Sequence, residues 1–221
     1  MTSKKSQKLN SITFTYGNIK DLAAEYEIIN IRGSVILHQD IHVKKISSHG
    51  HSTFQSNVTA EVLKNAGSCV IKKNCNAKEI VNSGNLKMKN GEATSITGSG
   101  KLTVNQSLHT EKLDCLGIIH ATEIHARHFQ LQLSGESRIE RLITDEATIE
   151  REKKTLSLWK KKLLCKYILG RNLHLSCTNA ETVEGNIVEI GKNCNIKTLY
   201  YKEKYTISRD AKVQQIIRSE Q

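Results

Sequence analysis

Three successive stretches, GSVILHQDIHVKKISSH (33–49), GHSTFQSNVTAEVLKNA (50–66) and GSCVIKKNCNAKEIVNS (67–83), are equal in length and each begins with glycine. The register continues on both sides. Glycines stand at Gly33, Gly50, Gly67, Gly84, Gly100, Gly117 and Gly135, evenly spaced except for a step one shorter before Gly100 and one longer before Gly135. Gly17 carries the series upstream. Four residues after each glycine from Gly33 onward comes an apolar residue: Leu37, Phe54, Ile71, Met88, Val104, Ala121 and Ile139. Two residues after it comes a small or apolar one, among them Val35, Ser52, Cys69, Leu86 and Ile119. Further columns run through Ile41, Val58, Cys75 and Leu108, and through Ile46, Leu63, Ile80 and Leu113, with one-residue slips in the units at Gly84 and Gly117. A short fixed period kept over seven units is the mark of a repeat architecture.

Within a unit the apolar positions alternate with Lys, Asn, Thr, His and Glu, the two-residue period of a strand with one buried face. A helical spacing is absent from the region. We therefore expect an all-β fold, a single-stranded β-helix in which about 17 residues bring the chain back above its own start and each coil stacks on the last at ~4.8 Å. Glycine is expected at a corner, where a positive φ or a close backbone approach excludes a Cβ. An antiparallel sandwich would need turn signals about every 8–12 residues and would not align its columns.

The composition agrees. The chain has 221 residues, 5% of them aromatic, and no proline, so every residue can donate to a ladder. The basic N-terminal residues Lys4, Lys5 and Lys8 are followed by no apolar run, and no stretch of about 18 apolar residues occurs. A cytoplasmic location is expected, with the inner face of the cell membrane as its nearest surface. Of six cysteines, Cys69, Cys75 and Cys194 fall on inward columns, Cys115, Cys165 and Cys177 are scattered, and none makes a C-x-x-C pair. His120, His125 and His128 have no ligand spacing typical of a metal site. No metal, cofactor or catalytic constellation is expected.

In chain order, residues 1–11 are a flexible polar tail and residues 12–150 the main β-helix block. The register then breaks at REKKTLSLWKKKLLCKYILGR (151–171), which holds eight Lys or Arg against one Glu and so carries +7 of the formal +11. Leu156, Trp159, Leu163, Leu164, Tyr167 and Ile168 recur there at helical spacing, with Lys160, Lys161, Lys162 and Lys166 mostly opposite. This is a basic amphipathic insertion. Its expected roles are contact with an anionic membrane through Leu156, Trp159, Lys160, Lys161, Lys162, Leu163, Lys166 and Tyr167, packing along the solenoid, or contact with a protein or nucleic acid. Cys165 would then be open to acylation. Residues 172–218 rebuild the solenoid, since Ile190, Cys194, Ile196 and Leu199 match Ile207, Ala211, Val213 and Ile216 at one common offset, that of the repeat.

The repeating Gly-x-Ile/Val pattern and the run Asn57-Val58-Thr59-Ala60-Glu61 resemble bactofilins, the bacterial polymer-forming cytoskeletal proteins. The block from Glu184-Gly185-Asn186 through Ile190-Gly191 to Tyr200-Tyr201-Lys202-Glu203 resembles their longer subgroup with a second C-terminal block. The resemblance implies a right-handed β-helix that polymerises end to end without nucleotide, into filaments under the membrane that scaffold envelope, shape or motility functions. This chain differs in lacking Pro-rich tails and in its strongly basic balance.

A solenoid with unhidden terminal coils offers a β-edge and an apolar cross-section at each end, which a second copy, or a paralogue, can cover. Ile12, Phe14 and Tyr16 are expected at one such interface and Ile207, Val213 and Ile216 at the other. Like-to-like contacts at both ends would make a non-directional filament. The alternatives are a monomeric or partner-dependent adaptor, and an enzyme like the left-handed β-helix acyltransferases. For the enzyme, only residues 190–196 echo a hexapeptide repeat, and the period of the chain is not a multiple of six. No small-molecule substrate is expected. Nor is nucleic acid, because most of the excess charge lies in one segment and aromatics that stack bases are few.

Overall fold

The computed structural model describes residues 10–23, 25–152 and 161–219. The chain is all-β: one parallel sheet wound into a solenoid of about 12 turns, each of about 17 residues. The strands are β1 (Ser11–Ile19), β2 (Ile28–Leu37), β3 (Ile41–Ser48), β4 (His51–Phe54), β5 (Val58–Asn65), β6 (Ser68–Asn82) and β7 (Asn85–Gly98). They continue as β8 (Lys101–Leu133), β9 (Glu136–Arg151), β10 (Lys162–Leu175), β11 (Thr178–Ile190), β12 (Asn195–Ile207) and β13 (Lys212–Arg218). Each pairs in parallel with the strand one coil away, as Ile29↔Ile46 and Leu63↔Ile80 illustrate.

The columns read from the sequence are the core. Ile19, Leu37, Phe54, Ile71, Met88 and Val104 stack in line, and Ala121, Ile139, Cys165, Ala180, Ile196 and Val213 likewise stack in line. Most of these side chains are fully buried. One-residue bulges between Ile71 and Asn74, and between Met88 and Gly91, absorb the slips of the repeat without turning any column outward.

The corner glycines are required by close approach and not by backbone conformation; Gly17, at φ 143°, is the one described glycine with positive φ. A Cβ on Gly50 would lie 2.1 Å from the Gly33 carbonyl oxygen, on Gly67 2.1 Å from that of Gly50, and on Gly84 2.0 Å from that of Gly67. The same contact continues to Gly100 and Gly117 and then ends, because a Cβ on Gly135 would meet only the Ile118 side chain. The C-terminal coils turn differently, with Cys177 and Asn193 at positive φ of 52° and 58°.

Side-chain ladders reinforce the stack. Asp40 accepts from the Asn57 backbone and side chain, Asn57 Oδ1 accepts from Asn74, Asn74 Oδ1 from Asn90, and Asn90 Oδ1 from the Ser107 backbone and hydroxyl. Hydrogen bonds from Ser56 and Asn57 hold the Asp40 carboxyl below its ordinary pKa. Inside the solenoid the buried Asn65 donates to Asn82 at 2.8 Å.

The expected basic insertion is largely corrected. Of a helix or a strand laid along the solenoid, residues 162–171 are a strand, and one within the stack: they belong to β10, which pairs with β9 on one side and β11 on the other. Leu163, Cys165 and Ile168 point into the core while Leu164 and Tyr167 face outward. The open edge of β9 supplies a partner for each ladder bond, and that overrides a helical pattern which only a free segment would express. The chain runs much further from Glu136 to its partner Lys162 than from Leu163 to its partner Thr178, so the break narrows to the link between Arg151 and Lys162. The blocks expected at 12–150 and 172–218 are thus one continuous stack, which begins with Ser11. The tail expected at 1–11 falls, through residue 9, outside the described residues.

Replacing Gly84 with Ala should cost about 3 kcal/mol, because the clash is with backbone that cannot turn aside, and Gly135→Ala only about 1 kcal/mol. Thermal and denaturant melts of the two variants check this; equal losses would show that the glycine–carbonyl approach is not what fixes the corner.

Candidate functional site: the open ends of the solenoid

β1 and β13 each have one described partner strand, β2 and β12, so each presents a free edge among the described residues. At the first end Ile12, Phe14 and Ile19 are half-buried against the core below, and Tyr16 is 82% exposed. Ile12, Phe14 and Tyr16 lie on this one edge strand.

The other end is built of two half-coils. β13 covers only the first half of β12, ending with Tyr201↔Arg218, and no described strand lies over Lys204–Ile207. Ile207 caps the column Leu131, Ile149, Leu175 and Ile190; Val213 caps the column that ends in Ala180 and Ile196. Ile216 lies over Leu199 and is 41% exposed. The three expected residues are therefore together at this end. The sequence pattern did not single out Ile217 (40% exposed) or Tyr205 (38%), whose ring packs on Tyr201 at 4.6 Å. The cluster of Tyr200, Tyr201 and Tyr205 in a chain poor in aromatics was the available signal.

The expected membrane-contact residues do not form one face. Leu156, Trp159 and Lys160 lie outside the described residues. Leu163 is fully buried, and Lys161 is buried with its Nζ 3.1 Å from Glu152. Lys162 pairs with Glu136 at 3.5 Å and Lys166 with Glu140 at 3.2 Å. Tyr167 donates to Glu184 at 2.8 Å beneath the Arg141 guanidinium. The described cations of the segment are thus mostly neutralised by the coil beneath them, since a strand in register puts Lys beside the Glu of its neighbour. No described helix is long and apolar enough to cross a membrane.

Chemically reactive groupings are sparse among the described residues. No cluster of His, Cys, Asp and Glu with metal-binding geometry occurs there. His109 and His125 stack at 4.6 Å, and His125 and His128 pair with Glu123 and Glu146. A shallow outer groove of about 720 Å³ runs over Asn105, His120, Arg138, Glu140, Lys166 and Glu181. Within it Glu140 is tied to Lys166. All six cysteines are free and buried, including Cys165, which rules it out as an exposed acylation site in this fold. No protein-family description, curated protein or solved structure matches the chain.

Burial pushes the Cys75, Cys115 and Cys165 thiols up to about 12, and those of Cys69 and Cys194 to about 11. A raised pKa keeps the thiol protonated at pH 8, and the thiolate is the reactive form. A disulfide reagent at pH 8 should therefore label essentially none of these five in the folded protein and all five in guanidinium; rapid native labelling of Cys165 would show that β10 is not seated in the stack.

Proposed function

We propose that this chain is a structural, filament-forming protein that joins end to end through its terminal β-edges without nucleotide, in the manner of the bactofilins it resembles. The observation that supports this best is the pair of open ends. β1 and β13 both carry an unpaired edge over apolar side chains that no described residue covers. Edges of this kind template further strands unless charge, proline or a covering segment blunts them. Neither strand contains a proline, and charge is confined to Lys212 and Arg218 of β13.

The rigid parallel stack makes each end a complete template. A second copy that continues the ladder satisfies backbone groups and covers Phe14 or Val213 in the same step. The scaffolding of envelope, shape or motility structures is the role such a polymer would serve, with the copies themselves, or a paralogue, as first partners. The partner-dependent adaptor differs only in what covers the ends.

Negative-stain electron microscopy of the purified chain tests this reading. Filaments a few nanometres wide are expected for the unaltered protein, and monomers for Phe14→Lys and Val213→Lys with unchanged strand content. Both residues are half-buried edge positions, so a lysine there leaves the core intact. Filaments that persist in both variants would sink the interface, and a monodisperse unaltered protein under all conditions would favour the adaptor.

A further inference from the structure

The sequence argued against nucleic acid because its formal charge of +11 is concentrated in residues 151–171, yet the described cations there are mostly paired. The unpaired ones lie elsewhere. One outer face of the solenoid is made by residues 33–39, 50–56, 67–73, 84–90 and 100–106, and these segments contain no Asp or Glu. They stack in register through Ser34↔His51↔Ser68↔Asn85↔Lys101 and Ile36↔Thr53↔Val70↔Lys87↔Thr103. Their inward neighbours Leu37, Phe54, Ile71, Met88 and Val104 are buried, which turns Lys72, Lys73, Lys87 and Lys89 outward to solvent and leaves Lys101 half-exposed.

None of these five lysines is in an ion pair with a described residue. The carboxylate whose titration Lys73 touches is Asp40, at the adjoining corner, where Asn57 already hydrogen-bonds it. Their placement is a diagonal. Lys72 and Lys73 sit in the bulge at the far end of one segment, Lys87 and Lys89 at the middle and far end of the next, and Lys101 at the near end of the third. With coils ~4.8 Å apart and ~3.3 Å per residue, that line is roughly 16 Å long.

We propose that this acid-free face binds the sugar–phosphate backbone of duplex nucleic acid without reading its sequence. Lysines along a line suit a linear polyanion, and Ser68, Asn85 and Thr103 beside them supply the neutral donors that also serve phosphate oxygens. Among the described residues the exposed large hydrophobics are Tyr16, Ile187, Tyr205, Ile216 and Ile217, none of them on this face. It therefore has no exposed Phe, Tyr or Trp ring on which unpaired bases could stack, its rings being the imidazoles of His38 and His51, and its outward Ile36 and Val70 are too sunken to insert into a bilayer. A double-stranded backbone needs neither. One copy carries the whole face, so the inference does not depend on end-to-end assembly.

The test is fluorescence anisotropy of the full chain with a short labelled duplex of mixed sequence, across a salt series. Binding at low salt is expected, with log K falling against log salt at a slope of about −4, as four or five neutralised phosphates require. The combined variant Lys72→Glu, Lys87→Glu, Lys89→Glu and Lys101→Glu should lose at least about tenfold at low salt. Lys64→Glu with Lys112→Glu, on another face, should bind as the unaltered chain does. Equal melting temperatures confirm that all three are folded. Absence of binding at low salt, an unchanged combined variant, or capture by phosphatidylserine vesicles without capture of the duplex would each overturn the proposal.

Discussion

Everything in this molecule depends on how closely one coil lies on the next. A glycine Cα faces the carbonyl oxygen of the coil below at a distance that leaves no room for a side chain, and this repeats from Gly33 to Gly117. A Cβ at any of these positions would be driven into backbone, and backbone in a hydrogen-bonded stack cannot move aside. The constraint therefore fixes pitch and corner together, and the side-chain columns follow from it. Like residues lie over like, so the interior fills with Ile, Leu, Val and Ala in layers, and the exterior becomes a set of ladders.

Those ladders explain the distribution of charge. Side chains of one sign cannot repeat up a column at strand spacing without repulsion, and opposite signs attract there. The upper coils obey this closely: Arg171 pairs with Asp145, Lys166 with Glu140, Lys162 with Glu136. The lower coils solve the problem with neutral amides, the Asn57–Asn74–Asn90 ladder, and with lysines staggered from coil to coil. On the acid-free face the staggered Lys72, Lys73, Lys87, Lys89 and Lys101 stay out of ion pairs with described residues, and so leave that face cationic while the chain's most basic segment is locally balanced.

The same stacking gives the ends their character. A solenoid has no closure, so its first and last coils must show on their outer side what every interior coil shows to its neighbour. Phe14 and Val213 are core residues in composition and column, and they are half-exposed because no described coil lies over them. The second end stops part-way round a coil, which leaves Lys204–Ile207 and β13 as two steps of one ramp. A partner seated there meets a shaped ledge as well as an edge.

The fold was legible in the sequence because its constraints recur at every coil: the close approach that demands glycine at the corner, visible at Gly50, Gly67 and Gly84, and the alternation along each strand. The apolar residues of β1 and β13 were legible for the same reason, as further members of the same columns. What the sequence left undecided was residues 162–171, where Leu163, Leu164, Tyr167 and Ile168 satisfy a helical spacing as well as a strand with a bend in it. Only the free edge of β9, a partner distant in sequence, decides between them, by offering hydrogen bonds along the length of β10. The acid-free face was likewise hidden, because Lys72, Lys87 and Lys101 are far apart in the chain and become neighbours only when the coils stack. The sequence determined the coil; the stacking of coils determined which charges meet and which stand alone, because contacts between coils join residues a full turn apart, beyond the reach of any local pattern.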